Sequence, residues 1–155
     1  IIPYARGPVR SLPLETAAAQ ARGLAGEGYR EIVVTGIEVA SWGWDFKDGS
    51  RLPQLIAALC EAVPESAEIR FWADIDLGGF RMFRHLRELV PSLMPMRMSG
   101  ECVDSFREHG LERSDEYLAA LKKEAAEGKY PLFQDAIERI LTYGVTIEQE
   151  AFLNA

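Results

Sequence analysis

Two aspartates stand two residues apart at the end of an apolar run, in the segment FWADIDLGGF at residues 71–80. Residues two apart on a strand point to the same side, so the carboxylates of Asp74 and Asp76 should lie together. Gly78 and Gly79 follow, and they allow a tight turn into a helix. Ligands of open α/β sheets bind beyond the carboxyl ends of the strands, so this pair is a candidate hard-oxygen site for Mg²⁺ or Mn²⁺. The alternative is a pair of ordinary solvated turn aspartates.

The elements that must position this pair alternate between helix and strand. Apolar spacing predicts helices over Leu14–Gly28 and Leu52–Val63, and β-branched runs predict strands at Ile32–Gly36 and Ile69–Asp74. A strand, a helix and a strand at this spacing form a right-handed βαβ unit, so the two strands should be parallel neighbours. The chain is therefore expected to be a single three-layer α/β domain over residues 1–155, with a small parallel, Rossmann-like sheet.

The last third of the chain is expected to be helical. Gly79–Val90 has its large apolar residues at helical spacing, and Leu93–Met98 is a short extended segment beside it. Ser114 is a favourable N-cap for the helix that follows it. Tyr130–Tyr143 predicts a further helix, and Thr146 is expected to cap a last short one.

Composition and charge restrict the class of protein. The 155 residues carry a net charge of −7, which argues against a general nucleic-acid coat but is compatible with an acidic, cation-dependent site. No apolar run is long enough to cross a bilayer, and no signal peptide pattern is present. Cys60 and Cys102 form neither a disulfide framework nor a CxxC pair, so we expect buried, reduced thiols in a cytoplasmic protein without membrane contact.

The second half of the chain carries a family resemblance. WADIDLGGFRMFRHL resembles the DxD segment of Toprim domains and, more narrowly, the C-terminal domain of JetD-like proteins. These are the nuclease subunits of Wadjet plasmid-defence systems, related to the A subunit of topoisomerase VI. The similarity continues through RSDEYL at Arg113–Leu118 and YGVTIEQEAFL at Tyr143–Leu153, and covers about residues 69–153. It implies a Toprim-like sheet and a Mg²⁺-dependent endonuclease acting on DNA, together with partner subunits or a further N-terminal region.

The same resemblance implies a third carboxylate. Toprim nucleases add a glutamate from an earlier strand to the DxD pair, and the similarity begins too late to include it. Glu38 follows the predicted strand Ile32–Gly36 and would share a sheet edge with Asp74 and Asp76, so it is the best substitute. Glu148 belongs to the EQE ending that the resemblance includes, and it is a further candidate metal ligand. The predicted catalytic set is therefore Asp74, Asp76 and Glu38, with Glu148 added for the metal.

The first half resembles a different family. IIPYARGPVRSLPLE and GYREIVVTGIEVASWG, within about residues 1–70, closely resemble radical-SAM tRNA methylthiotransferases of the MiaB type. In that family the first segment follows a CxxxCxxC triad that holds an iron–sulfur cluster. Cys60 and Cys102 lack this spacing, so neither a cluster nor reductive SAM cleavage is expected. The two resemblances meet near Ile69–Phe71, and the chain is interpreted as a chimera of two segments.

Three interpretations follow for the activity of the chain. The first is a metal-dependent, Toprim-type nuclease domain that is incomplete in isolation. The second is a fragment of a radical-SAM methylthiotransferase that keeps part of a SAM pocket. The third is an α/β scaffold in which neither site works. A Mg²⁺ titration distinguishes the first from the third, and SAM binding distinguishes the second from both.

Overall fold

The structure is a computed structural model that describes residues 7–35, 39–64 and 67–154, with the side chain of Asn154 left out. Contacts divide the chain into two compact units, Ile1–Ala67 and Glu68–Ala155. The division falls close to Ile69–Phe71, where the two resemblances were expected to meet. That residues 1–155 act as a single domain stays a prediction.

Unit 1, Ile1–Ala67, is built from two helices, α1 at Leu14–Gly26 and α2 at Leu52–Ala62, with a 3₁₀ turn at Val39–Ser41. Both predicted helices are confirmed, with slightly earlier ends. Their core is a small cluster of alanines with a few half-buried neighbours: Ala18, Ala21 and Ala62, with Ile32, Ala58, Leu59 and Val63. Because alanine side chains are short, this cluster removes little apolar area from water.

The predicted strand Ile32–Gly36 is wrong over the residues that the structure describes. Residues 31–35 lie in no strand, and the side chains of Val33 and Val34 are 73% and 46% exposed. Its predicted parallel pairing with Ile69–Asp74 is also wrong, because that segment belongs to the other unit and finds its partner there. A β-branched run favours a strand only where a neighbouring backbone completes its hydrogen bonds.

Unit 2, Glu68–Ala155, contains the small parallel sheet. Strand β1, Arg70–Phe71, pairs in parallel with β2, Met94–Pro95, and helix α3, Leu77–Leu89, connects them. The mixed α/β class is therefore confirmed, and the βαβ unit lies one helix later than predicted. Both strands are shorter than the runs Ile69–Asp74 and Leu93–Met98 that predicted them.

The rest of unit 2 is mainly helical, as predicted. Ser114 caps α5, its Oγ accepting the N–H of Tyr117 at 3.3 Å. The prediction that Thr146 caps a helix is wrong, because it lies in a strand and is fully buried. The elements after β2 are α4 at Gly100–Phe106, β3 at Leu111–Glu112, α5 at Asp115–Ala126, α6 at Gln134–Tyr143 and β4 at Val145–Thr146, with 3₁₀ turns at Arg107–His109, Pro131–Phe133 and Gln149–Asn154.

Aromatic rings form the centre of unit 2. The ring of Phe133 stacks on Phe80 at 4.7 Å between centroids, and it meets Phe83 edge-on at 4.9 Å. Such pairs stabilise a core beyond the area they bury, by about 0.5–1.5 kcal/mol each. The apolar face of α3 and the C-terminal helices therefore form one packed core, whose other fully buried side chains are Ile75, Val103, Leu121, Ile140 and Ile147.

The structure bears on two expectations from composition, one about membrane-spanning helices and one about the cysteines. Within the described residues, no helix is both long enough and apolar enough to span a membrane. Cys60 in α2 and Cys102 in α4 are free thiols, as predicted, but both are half-buried rather than buried.

Candidate functional site

The backbone between the two aspartates is extended and tied to the C-terminal segment. Ile75 is fully buried and forms an isolated antiparallel bridge with Ile147, its N–H donating to the Ile147 carbonyl at 2.7 Å. Asp74 and Asp76 on either side of it are only half-buried. The alternation of an extended chain thus places Ile75 in the core and leaves the two carboxylates at the surface.

Asp74 accepts a backbone hydrogen bond from the EQE ending. Its Oδ1 lies 2.8 Å from the amide nitrogen of Gln149. The Gln149 side chain donates in turn from Nε2 to the carbonyl of Trp72 at 3.2 Å. The EQE segment therefore orients Asp74 through Gln149, the residue between the two glutamates.

Asp76 is the N-cap of α3. Its backbone is extended, with φ −150° and ψ 176°, and its Oδ1 accepts the N–H of Gly79 at 2.7 Å. This bond satisfies one of the free N–H groups in the first turn of the helix. Its Oδ2 lies 3.6 Å from Nη2 of Arg113, so the second oxygen faces a cation.

Close approach rather than an unusual φ accounts for the glycines after the aspartates, and it excludes a side chain only at Gly79. A Cβ on Gly79 would lie 2.2 Å from the carbonyl oxygen of Asp74, and one on Gly78 would lie 3.2 Å from Oδ1 of Asp76. Neither glycine has a positive φ, and both lie in the first turn of α3. The first turn of the helix therefore packs directly against the backbone that carries the carboxylates.

A tyrosine and an arginine complete the surroundings of Asp76. Tyr117 accepts the N–H of Leu77 on its phenol oxygen at 2.7 Å, and the guanidinium of Arg113 lies over its ring at 5.0 Å. Arg113 also donates from Nε to the buried hydroxyl of Thr146 at 2.7 Å. Burial raises the pKa of Tyr117, the hydrogen bond from the Leu77 N–H opposes that shift, and the charge of Asp76 adds to it.

The third carboxylate predicted from the sequence has no described position in this site. Glu38 lies outside the residues that the structure describes. Glu148 is exposed, and its carbonyl accepts the N–H of Ala151 at 3.0 Å. Among residues 7–35, 39–64 and 67–154, no three His, Cys, Asp or Glu side chains are grouped closely enough to hold a metal.

Sequence reasoning missed three residues that contact the aspartates or their turn. Arg113, Tyr117 and Gln149 lie in RSDEYL and EQE, segments that were noted for the resemblance but given no role. The available signal was the pairing of an arginine and a tyrosine around the N-cap Ser114. Spacing alone could not show that this N-cap faces the DIDLGG turn, because about forty residues separate the two segments.

An α/β unit with two carboxylates at the start of a helix after a parallel strand defines the general class of this site. Over residues 44–154 the chain matches the family described as Wadjet protein JetD, C-terminal, and it belongs to that family. The resemblance stated from the sequence is confirmed, and the match begins well before Ile69.

The similarity to methylthiotransferases is confirmed as well. The threonylcarbamoyladenosine tRNA methylthiotransferase MtaB of Rickettsia prowazekii is 32% identical over 105 residues, which are 65% of this chain and 25% of that protein. The tRNA-2-methylthio-N(6)-dimethylallyladenosine synthase of Thermotoga petrophila is 45% identical over 56 residues, 36% of this chain and 13% of that protein. The ribosomal protein uS12 methylthiotransferase RimO of Pelobacter propionicus is 39% identical over 61 residues, covering 39% and 14% respectively.

The extent of these matches limits what they show. The chain spans a quarter or less of the length of these three relatives. The match to the first relative covers 65% of the chain while the family match begins at residue 44, so the two similarities share part of the sequence. No solved structure matches the chain.

Proposed function

We propose that the chain supplies Asp74 and Asp76 to a Mg²⁺-dependent, Toprim-type nuclease site that acts on DNA phosphodiesters, as in plasmid defence. The main support is that each carboxylate has one oxygen held by a backbone N–H, from Gln149 and Gly79 respectively. Hydrogen bonds of this kind fix the orientation of metal-binding carboxylates in proteins. Membership of the JetD C-terminal family agrees with the proposal.

The donor set fits Mg²⁺. This ion takes oxygen ligands and is often held by one or two carboxylates, with water and substrate phosphate completing its shell. Asp74 and Asp76 are half-exposed, so a hydrated ion could reach them from solvent. Glu38 and Glu148 are the candidates for a third carboxylate.

The metal and the residues around the two aspartates would have different roles in the site. When bound, the metal would polarise the phosphodiester and stabilise negative charge that develops on its oxygens. The N–H groups of Gln149 and Gly79 hold the two carboxylates in place, which lowers the entropy lost when a ligand binds. The buried Ile75 between the aspartates anchors both to the core.

The proposal includes partners. The chain carries a net charge of −7, so it offers little general attraction for a DNA backbone. We therefore assign most of the DNA affinity of the functional assembly to partner subunits or to further parts of the protein. Low cleavage by the isolated chain is expected on the same ground.

The test is a titration of the full 155-residue chain with Mn²⁺ while its melting temperature is recorded. Metal that binds the folded state stabilises it by mass action, by about 1.4 kcal/mol at ten times the Kd, and the melting temperature should rise by a few degrees. The double change Asp74→Asn with Asp76→Asn should abolish this rise. Asp104→Asn is the matched control, because Asp104 is a surface carboxylate paired with Arg139. A flat response of the unmodified chain up to millimolar Mn²⁺, or an equal response of the double variant, would make the pair ordinary turn residues.

The second candidate function is that of a methylthiotransferase fragment, and the relatives found favour it. Cys60 and Cys102 lie in different units, and cluster ligation requires several thiolates around one iron–sulfur group. We therefore propose that the chain neither holds such a cluster nor cleaves SAM. Stoichiometric iron and sulfide after anaerobic reconstitution would contradict this, and calorimetric binding of SAM would support a retained pocket. If neither Mn²⁺ nor SAM gives a binding signal, the chain is an α/β scaffold without a working site.

A further inference from the structure

Arg113 is held rigidly beside the candidate metal carboxylates. Its backbone N–H donates to the carbonyl of Gly144 at 2.9 Å, next to the β3–β4 pairing. Its Nε donates to the buried hydroxyl of Thr146 at 2.7 Å, and its guanidinium stacks over the ring of Tyr117. A long, flexible side chain on a fixed backbone is therefore held by two contacts of its own, and the entropy of ordering it is lost during folding rather than on binding.

Most of the hydrogen-bonding capacity of this guanidinium is unused. An arginine carries five N–H donors, and within the part of the chain that the structure describes this side chain makes one hydrogen bond, from Nε. Nη2 stands 3.6 Å from Oδ2 of Asp76, an ion-pair distance longer than a hydrogen bond. The Arg113 side chain is 23% exposed. Among the described residues the buried side-chain polar atom without a partner is Nε1 of Trp72, so the unbonded Nη donors of Arg113 are not buried and can reach a ligand.

Other arginines of the same unit show what a closed ion pair looks like. Arg139 contacts Asp104 at 3.0 Å with hydrogen-bond geometry. Arg81 bonds Glu124 through two nitrogens. The Arg113 side chain has more contacts than these surface arginines, yet its Nη2 remains 3.6 Å from Oδ2 of Asp76. An ion pair whose only role was to fix Asp76 would be expected to close to hydrogen-bond distance.

We propose that Arg113 binds a non-bridging oxygen of the substrate phosphodiester, beside the metal held by Asp74 and Asp76. This deepens the proposed function and depends on it. A phosphate that approaches two carboxylates is repelled by both, and a fixed, permanently charged cation at their edge offsets that repulsion. The planar guanidinium also matches the geometry of phosphate oxygens, which a lysine does not.

The test combines two measurements on the full chain and its Arg113→Gln variant. Binding of a fluorescent duplex DNA is followed by anisotropy in Ca²⁺, and metal binding is followed by the Mn²⁺ dependence of the melting temperature. Loss of the guanidinium should weaken DNA binding about tenfold, the value of one charge-assisted hydrogen bond. The same loss removes a positive charge beside Asp76, so Mn²⁺ should bind about threefold more tightly. If Arg113 had a purely structural role, the Arg113→Gln change would weaken both DNA binding and Mn²⁺ binding.

Matched variants separate the outcomes. Arg139→Gln removes the same charge from the surface pair with Asp104, and it should change neither measurement appreciably. Equal DNA affinity of the Arg113→Gln and Arg139→Gln variants overturns the inference, as does an absence of DNA binding by the unmodified chain. If Arg113→Gln fails to fold by circular dichroism, Arg113→Lys decides. It keeps the charge without the planar fork, and unchanged DNA affinity in that variant overturns the inference too.

The two proposals can fail separately. An Mn²⁺ response that survives without any effect of Arg113 on DNA supports the metal site and removes the phosphate contact. An effect of Arg113 on DNA with no Mn²⁺ response in the unmodified chain removes the metal site, and with it the position of the phosphate beside a metal. Only a contact between Arg113 and the DNA phosphate then remains.

Discussion

The two units of the chain use similar apolar content in different ways. In unit 2 the large side chains Phe80, Phe133 and Ile140 are at most 1% exposed. In unit 1 the buried apolar residues are mainly alanines, with Leu52 and Leu55 as the buried leucines, while Tyr29 and Trp44 are more than 60% exposed. Apolar residues stabilise a fold only when neighbours remove them from water, so equal composition does not give equal cores.

Two runs that predict strands show the same difference. Arg70–Phe71 form β1 because the backbone of β2 lies alongside, and the N–H of Met94 donates to the neighbouring Ile69 carbonyl at 3.0 Å. Residues 31–35, EIVVT, have an equally strong preference for a strand, yet they form none. A β-branched or aromatic run shows that a segment can form a strand, and a neighbouring backbone that completes its hydrogen bonds determines whether the strand forms.

Truncating a large aromatic side chain should give the largest difference in lost stability between the two units. Phe80→Ala removes a fully buried ring that contacts Phe133 and Tyr130, and it should destabilise unit 2 by about 3–5 kcal/mol. Trp44→Ala removes an even larger ring from unit 1, but that ring is 62% exposed, so the loss should stay below about 1 kcal/mol. Amide hydrogen exchange in α3 and in α1 reports each unit separately. Similar losses for the two variants would contradict the difference between the two cores.

Glycine-to-alanine changes should have opposite signs in the two units. Gly79→Ala places a Cβ 2.2 Å from the Asp74 carbonyl oxygen, so the backbone must shift, at a cost of about 2–3 kcal/mol. Gly23→Ala lies within α1 with no atom near the new methyl group, and it should stabilise that helix by about 0.5–1 kcal/mol. Urea denaturation of both variants checks the signs. A neutral Gly79→Ala would mean that the turn is not tightly packed.

Much of the secondary structure was predictable because its causes are local. Apolar spacing located α1, α2 and α3, and a side-chain hydroxyl at Ser114 marked the start of α5. Thr146 shows where local reasoning stops. Its hydroxyl was assigned to a helix cap, but it serves the guanidinium of Arg113, which lies 33 residues away in sequence.

The candidate site was predictable in part for the same reason. The spacing of Asp74 and Asp76 and their turn into a helix follow from adjacent residues. The partners Gln149 and Arg113 come from distant segments that tertiary packing brings to the turn. The role of Gly79 was also misjudged, because it allows a close approach to the Asp74 backbone that only the folded packing creates.

The cap of α3 provides a smaller test. Asp76→Ala removes the oxygen that accepts the Gly79 N–H and should destabilise unit 2 by about 1 kcal/mol. Asp76→Asn keeps a cap oxygen and should recover most of that loss, although it loses the charge opposite Arg113. In unit 1, α1 begins after Pro13 with no side-chain cap, so Pro13→Ala should leave its first turn without a comparable change. Thermal unfolding at neutral pH gives the ranking, and an Asn variant as unstable as the Ala variant would assign the effect to the ion pair instead.

The smallest expected effect is a pH dependence that differs between the units. In unit 2, hydrogen bonds from Arg81 and Tyr130 lower the pKa of Glu124 to about 2. A carboxyl whose folded pKa is depressed stabilises the fold above its ordinary pKa of about 4.5, and this contribution is lost as the pH falls towards 2. In unit 1, the hydroxyl and the amide of Ser11 lower the pKa of Asp45, which is exposed, so its contribution should be smaller still.

Glu124→Gln isolates that contribution. Near pH 6 the variant should be less stable than the unmodified chain by about 1 kcal/mol or less. Glu124 is only 18% exposed, but its partner Arg81 is 54% exposed, and water around the guanidinium weakens the pair. Between pH 4.5 and pH 2 the difference should shrink steadily, since the folded side chain of the unmodified chain is about half neutral near pH 2. Asp45→Asn is the counterpart in unit 1. Melting curves of all three proteins across this range check the sign, and a gap that widens on acidification would show that Glu124 is not stabilised as a carboxylate by its two partners.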